Sequence, residues 1–218
     1  MLKWWGGHAG LVDLTGRAGR EWFVSRLRHL QRDIGVDGFK IDGGDAKYQP
    51  ARAGSRWADA PGPSGYCDLL LAVFEQLAPG LCETRTMWRS QARRILWRQG
   101  GKDSHFRIDN GLAAMVHLGL NMAVLGYDVQ IPDMIPGRVQ TMNRADPLPS
   151  DELMVRWTEA SAFWPIMQFS YLPWNYAEPT ASAVRGLAMA HHAIGWYIAG
   201  ASAADRAAPL IRPMWFDW

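Results

Sequence analysis

Cysteine is scarce in this chain: 218 residues contain two, Cys67 and Cys82. Neither stands in a CxxC pair or beside a histidine partner, which excludes a disulfide framework and a thiolate metal site. Both read as free thiols. Charge of one sign is scarce as well. Lys and Arg total 23 against 21 Asp and Glu, a formal balance of +2, with no basic or acidic tail. That distribution leaves no electrostatic footprint for nucleic acid. No apolar run reaches 18 residues, so no membrane segment is expected. The first residues, MLKWWGGHAG, lack a long apolar stretch and a small-residue cleavage site. If they are the native N-terminus, the cytoplasm is the expected location. Glycine never forms a dinucleotide fingerprint, because Gly43-Gly44 and Gly100-Gly101 are too short, and no cofactor is expected.

What is present is an apolar, aromatic sequence, 48% hydrophobic with 12 Trp, long enough to bury a sizeable core. Trp22, Phe23, Leu27, Leu30 and Ile34 recur at near-helical spacing and predict a helix over 19–35. VDGFKID, at 36–42, reads as a strand closed by Gly43-Gly44, and 66–80 as a helix ended by Pro79-Gly80. Short strands are expected within 81–88 and 94–100. An apolar helix should start near Asp109 or Asn110, and a strand near 127–137 should pass into a loop. Residues 151–170 predict a helix leading to a strand near Met167, 171–180 a Pro-rich loop, 181–200 a last helix and 209–215 an extended segment. This alternation points to βα units around a parallel sheet, whose chemistry sits on loops at the carboxyl ends of the strands.

Those loops are rich in Asp, Arg and Trp. Asp42 ends a buried-looking strand, with Lys40 two residues back and Asp45 in the following turn. Asp109 precedes an apolar helix. Capping or turn formation is the plainer explanation of either aspartate. Two carboxylates at loop tips are also the equipment of glycoside hydrolysis, with retention at a separation of about 5–5.5 Å and inversion at about 6.5–9.5 Å. Trp88, Trp97, Trp174 and Tyr127 are candidate platforms for sugar rings, and core packing is the competing reading for each. Arg85, Arg93, Arg98 and the strand-end Asp133 are candidates for binding sugar hydroxyls or tuning an acid. Lys102-Asp103 reads most simply as a solvated loop pair, with a sugar contact as the alternative. His117, His191 and His192 lack a metal-ligand pattern, and no metal is expected. Met134, Met142, Met154 and Met167 suit core filling.

Taken in order, VDLTGRAGREWF, DGFKIDGGD, RQGGKDSHFRIDNGL, GYDVQIPDMIPG, PIMQFSYLPW and PLIRPMW resemble glycoside hydrolase family 31 over nearly the whole chain. Within it, the resemblance is to the branch of the myogenesis-regulating glycosidase and its bacterial relatives. It implies an α/β fold, part of a (β/α)8 TIM barrel, and retaining hydrolysis of α-glycosidic bonds without a metal. It implies Asp42 as nucleophile, Asp109 as acid/base and Arg93 as a sugar-hydroxyl ligand. Lys40, Trp88, Arg98 and Asp133 complete the expected substrate-binding set, and the partner is a carbohydrate, an α-hexoside such as an α-galactoside. Two departures stand out. FRIDNG replaces the WxGD common around the acid/base, and PIMQFS carries Gln168 and Ser170 where many members have a sugar-contacting histidine. The alternative is an inactive carbohydrate-binding or interaction protein on the same scaffold, against which the retention of Asp42 and Asp109 argues. A complete barrel takes about 250 residues. The expectation is therefore a partial catalytic barrel over residues 1–208, a connection toward a further β-domain over 209–218, and apolar faces and sheet edges that the remaining units would cover.

Overall fold

The computed structural model describes residues 2–4, 7–48, 62–138, 147–204 and 208–217. The chain divides into two compact units, Met1–Trp97 and Arg98–Trp218.

In the first unit, β1 (Leu2–Trp4) and β2 (Gly7–Ala9) form a short antiparallel pair. Asp13 then organises the entry to α1 (Arg17–Ile34): its Oδ1 accepts from the Thr15 and Gly16 amides at 2.9 and 3.3 Å. Gly35 ends α1 in the left-handed conformation, φ 76°, and its N–H returns to the Gln31 carbonyl. The apolar stripe expected on this helix is only partly a core face. Leu27 is buried and Phe23 meets Phe74 edge-on at 5.9 Å, whereas Trp22, Leu30 and Ile34 face solvent.

β3 (Phe39–Ile41) pairs in parallel with β4 (Cys82–Thr84), and β4 with β5 (Leu96–Arg98). The crossover between β3 and β4 carries α2 (Gly62–Leu77), which buries Tyr66, Cys67, Leu70, Leu71, Val73 and Phe74, the last edge-on to Phe39 of β3 at 5.6 Å. This is a βα crossover of the expected kind. The strands are far shorter than their apolar runs, three residues each, because Gly43-Gly44 and the turns after Thr84 end the ladder early.

In the second unit, the Gln99 amide donates to the Ile131 carbonyl at 3.0 Å, beside β6 (Gln130–Ile131). A parallel bridge joins Ile135 to Phe169, a single bridge in place of the strand expected near Met167. α3 (Leu112–Val124) starts after Gly111, so Asp109 is not its cap. α4 (Asp151–Ser161) is capped by Ser150, whose Oγ accepts from the Leu153 amide. It ends at Ser161, six residues before Met167, near which a strand was expected to follow it. α5 (Thr180–Ala204) is the longest helix described. The core gathers Met115, Ile135, Leu153, Met154, Trp157, Tyr171, Tyr176 and Val184. Met154 sits in that core as expected, Met167 packs against it, and Met142 lies outside the described residues. Residues 214–217 form a helical turn where an extended segment was expected, with Trp215 stacked edge-on against Phe216. No described helix is long and apolar enough to cross a membrane.

Candidate functional site

Asp42 follows the last residue of β3, at the carboxyl end of a parallel strand. Two glycines behind it turn the chain sharply: Gly43 and Gly44 have φ of 132° and 81°. A Cβ at Gly44 would collide with Leu70, so the turn is closed tightly on α2. Two side chains latch it from outside. Thr86 Oγ1 donates to the Gly43 carbonyl at 2.6 Å, and Cys67 Sγ to the Gly44 carbonyl at 3.1 Å. Burial pushes the Cys67 thiol up to about 11, with the Asp45 carboxylate adding to the effect. Cys67 and Cys82 are both free and buried, as the sequence suggested.

The carboxylate of Asp42 is half exposed and lines a cleft of about 320 Å³ with Lys40, Asp45, Tyr48, Tyr66 and Phe74. Lys40 and Glu83 are register partners across β3 and β4, and Lys40 Nζ meets Glu83 Oε1 at 2.9 Å. Arg85 stands over the same turn, 3.0 Å from Asp45 and 3.5 Å from Asp42. Arg93 is not among the cleft residues. It clamps α2, with Nη2 2.6 Å from Asp68 and Nη1 2.8 Å from Glu75. Trp88 is 51% exposed on the loop after β4 and could offer a ring face to a ligand. Trp97 is fully buried, and Tyr127 nearly so, which corrects both as sugar platforms. Trp97 lies on β5, and both side chains belong to the core.

In the second unit the expected ligands Arg98 and Asp133 pair with one another. Arg98 Nη1 lies 3.3 Å from Asp133 Oδ2, both side chains are buried, and Gln168 Nε2 reaches the other Asp133 oxygen at 3.4 Å. Lys102 is buried beside them, with Nζ on the Gly100 carbonyl at 2.7 Å, and desolvation lowers its pKa. This corrects its reading as a solvated residue. Asp103 holds Asn110 Nδ2 at 2.9 Å and Arg138 Nε at 2.8 Å, and the Asn110 hydrogen bond leads in depressing its carboxyl below the usual range.

Asp109 is elsewhere on the same segment. It is exposed on the turn before α3, 3.0 Å from Arg107 Nη2, and that hydrogen bond holds its carboxyl below the usual carboxylate range. The sequence marked Asp103 as half of a solvated loop pair or a sugar contact and not as an acid, although QGGKD follows β5 and strand-end loops carry the chemistry of parallel folds. His191 Nδ1 is 2.9 Å from the Ala162 carbonyl, a packing role. Trp174 is the most open of the expected platforms, 74% exposed. Among the described residues no group of three or more His, Cys, Asp or Glu is arranged to hold a metal.

Residues 1–195 match the model of the glycosyl hydrolases family 31 TIM-barrel domain. The mouse protein called myogenesis-regulating glycosidase is 34% identical over 224 residues, covering 99% of this chain and 31% of that protein. The 1,3-alpha-isomaltosidase of Kribbella flavida is 30% identical over 245 residues, covering 98% of this chain and 32% of the enzyme. Among solved structures, a mutant of Kfla1895 superposes with a TM-score of 0.76 at 26% identity, over 98% of this chain and 32% of the other. The chain thus spans about a third of the length of these relatives.

Proposed function

The chain belongs to glycoside hydrolase family 31, as part of its α/β TIM-barrel domain, and from that premise we propose that it serves retaining hydrolysis of an α-linked hexoside. The observation that carries this reading is the Asp42 carboxylate, half exposed in a cleft at the end of a parallel strand. In a double displacement, Asp42 attacks the anomeric carbon and forms a glycosyl ester while an acid protonates the departing oxygen. The same residue, now a base, takes a proton from water, and the hydroxide cleaves the ester with a second inversion. Net retention follows. Lys40 borders the cleft as a hydroxyl ligand. Trp88 supplies a ring face, and Arg93 a hydroxyl ligand once it releases α2. Arg98 and Asp133 act as a buried pair that orients the loops around them.

Asp109 is the acid/base by family resemblance. An acid works best with a raised pKa, and Arg107 acts against that. Leaving-group binding must therefore displace Arg107 before Asp109 can hold a proton. The position of Asp103 favours a second reading, in which it is the acid/base. It follows β5 by five residues, its side chain is 25% exposed and it neighbours the buried Lys102, and it too must shed the Asn110 and Arg138 contacts that lower its carboxyl before it can hold a proton.

Azide separates these roles in the full-length protein with activated aryl α-glycosides. Asp42→Gly with azide should yield the β-glycosyl azide, the inverted product of a lost nucleophile. Removal of the true acid/base should yield the α-glycosyl azide instead, from Asp109→Ala under the first reading and Asp103→Ala under the second. Asp42→Gly and the variant lacking the true acid/base should each lose turnover by roughly 10²–10⁴-fold. Near-normal hydrolysis by Asp42→Gly sinks the mechanism. Binding of α-galactoside, α-glucoside and α-xyloside without any product favours the inactive carbohydrate-binding alternative.

A further inference from the structure

The Asp42 turn is held next to a guanidinium that has two acidic partners. Arg85 directly follows β4, and its neighbours fix its backbone to the turn. The Thr86 amide donates to Thr84 Oγ1 at 3.0 Å, and Thr86 Oγ1 donates across to the Gly43 carbonyl. Only 16% of the Arg85 side chain and 20% of the Asp45 side chain are exposed. Nε and Nη2 of Arg85 both point at one oxygen of Asp45, at 3.2 and 3.0 Å. A planar guanidinium bound through two of its donors cannot rotate freely, so the third nitrogen is set in place as well. That nitrogen, Nη1, stands 3.5 Å from Asp42 Oδ1.

We propose that Asp45 and Arg85 form a positioning relay for the Asp42 carboxylate. Asp45 fixes the guanidinium plane and offsets most of its charge. Arg85 then steadies one oxygen of Asp42 at a distance too long for a tight ion pair, leaving the carboxylate able to attack. Without Asp45 the guanidinium closes on Asp42 as a bidentate pair and occupies the lone pairs that attack requires. Arg85 and Asp45 are positioning residues and take no part in bond making. The steps affected are those of the proposed glycosidase, on which this assignment rests.

Two measurements on the full-length protein test it. The first needs no turnover. The Arg85 Nε–Hε resonance should move on Asp45→Asn and also on Asp42→Asn, while that of Arg156, paired with Glu159 on α4, stays in place. An Arg85 resonance indifferent to Asp42→Asn overturns the relay. The second is kinetic. Asp45→Asn should lower kcat by roughly tenfold or more while KM changes little, and Arg85→Lys should show the same loss because lysine cannot keep the plane. Wild-type kcat in Asp45→Asn also overturns it. Absence of turnover in the wild-type protein removes the proposed function alone, and the resonance shifts then decide the relay.

Discussion

Individual side chains separate into those whose chemistry follows from the local sequence and those that need the tertiary contacts. Asp42 belongs to the first kind: an apolar run ended by Gly-Gly leaves its last carboxylate at a strand tip. Lys102 belongs to the second. Two glycines before it and an aspartate after it read as a solvated turn, yet the ammonium is buried next to Arg98 and Asp133. Its pKa lies below the 10.5 of an unfolded lysine because burial penalises the charged form. At pH values between the two, the unfolded chain binds more protons than the native one, so stability rises with pH through that window. The cost of the charge is fully present at neutral pH. Lys102→Met should raise unfolding free energy at pH 7 by on the order of 1 kcal/mol and abolish the alkaline rise, as read from urea melts at several pH values. Lower stability at pH 7 would show that the attraction of Asp133 and Asp103 outweighs desolvation. The pairing of Arg98 with Asp133, 35 residues apart, was beyond local pattern for the same reason: both residue types were seen, their mutual neutralisation was not.

At the scale of elements, helices were more legible than strands. The helical period survives in α1, α2 and α5, since a face of several turns repeats its signal. Strands of two or three residues offer no period, and their limits depend on the Gly43-Gly44 turn and on the bridge between Ile135 and Phe169. Helix starts were misjudged where a loop carried the polar residues. Asp109 resembles a cap, but the chain makes a further turn through Gly111, where a side chain would strike His105 and Arg107. Ser150 is a true cap, joined by Asp151 and Glu152 in the first turn, where acidic groups suit the helix dipole. Ser150→Ala should cost about 1 kcal/mol, visible as a lower Tm, and Ser150→Asp should restore most of it. If alanine is neutral there, α4 draws its stability from the packing of Leu153, Met154 and Trp157 alone.

For the whole molecule, the family is plain in both sequence and structure, while the chain spans about a third of its relatives' length. Large apolar side chains lie open on separate elements of each unit: Trp22 and Ile34 on α1, Met189, Trp196 and Tyr197 on α5. Surfaces of this kind exceed what isolated exposed residues require. The two thiols give this arrangement a practical use. Both belong to the first unit, and Cys67 latches the carbonyl behind Asp42. A thiol reagent such as Ellman's disulfide therefore clocks the opening of that unit alone, without any label being introduced. Cys67 should react orders of magnitude more slowly than a free thiol, and a sugar seated on Asp42 should slow it further. A ligand that leaves the reaction rate unchanged would place its binding away from the nucleophile turn. The sulfur that looked chemically idle thus becomes a built-in stopwatch for the catalytic loop.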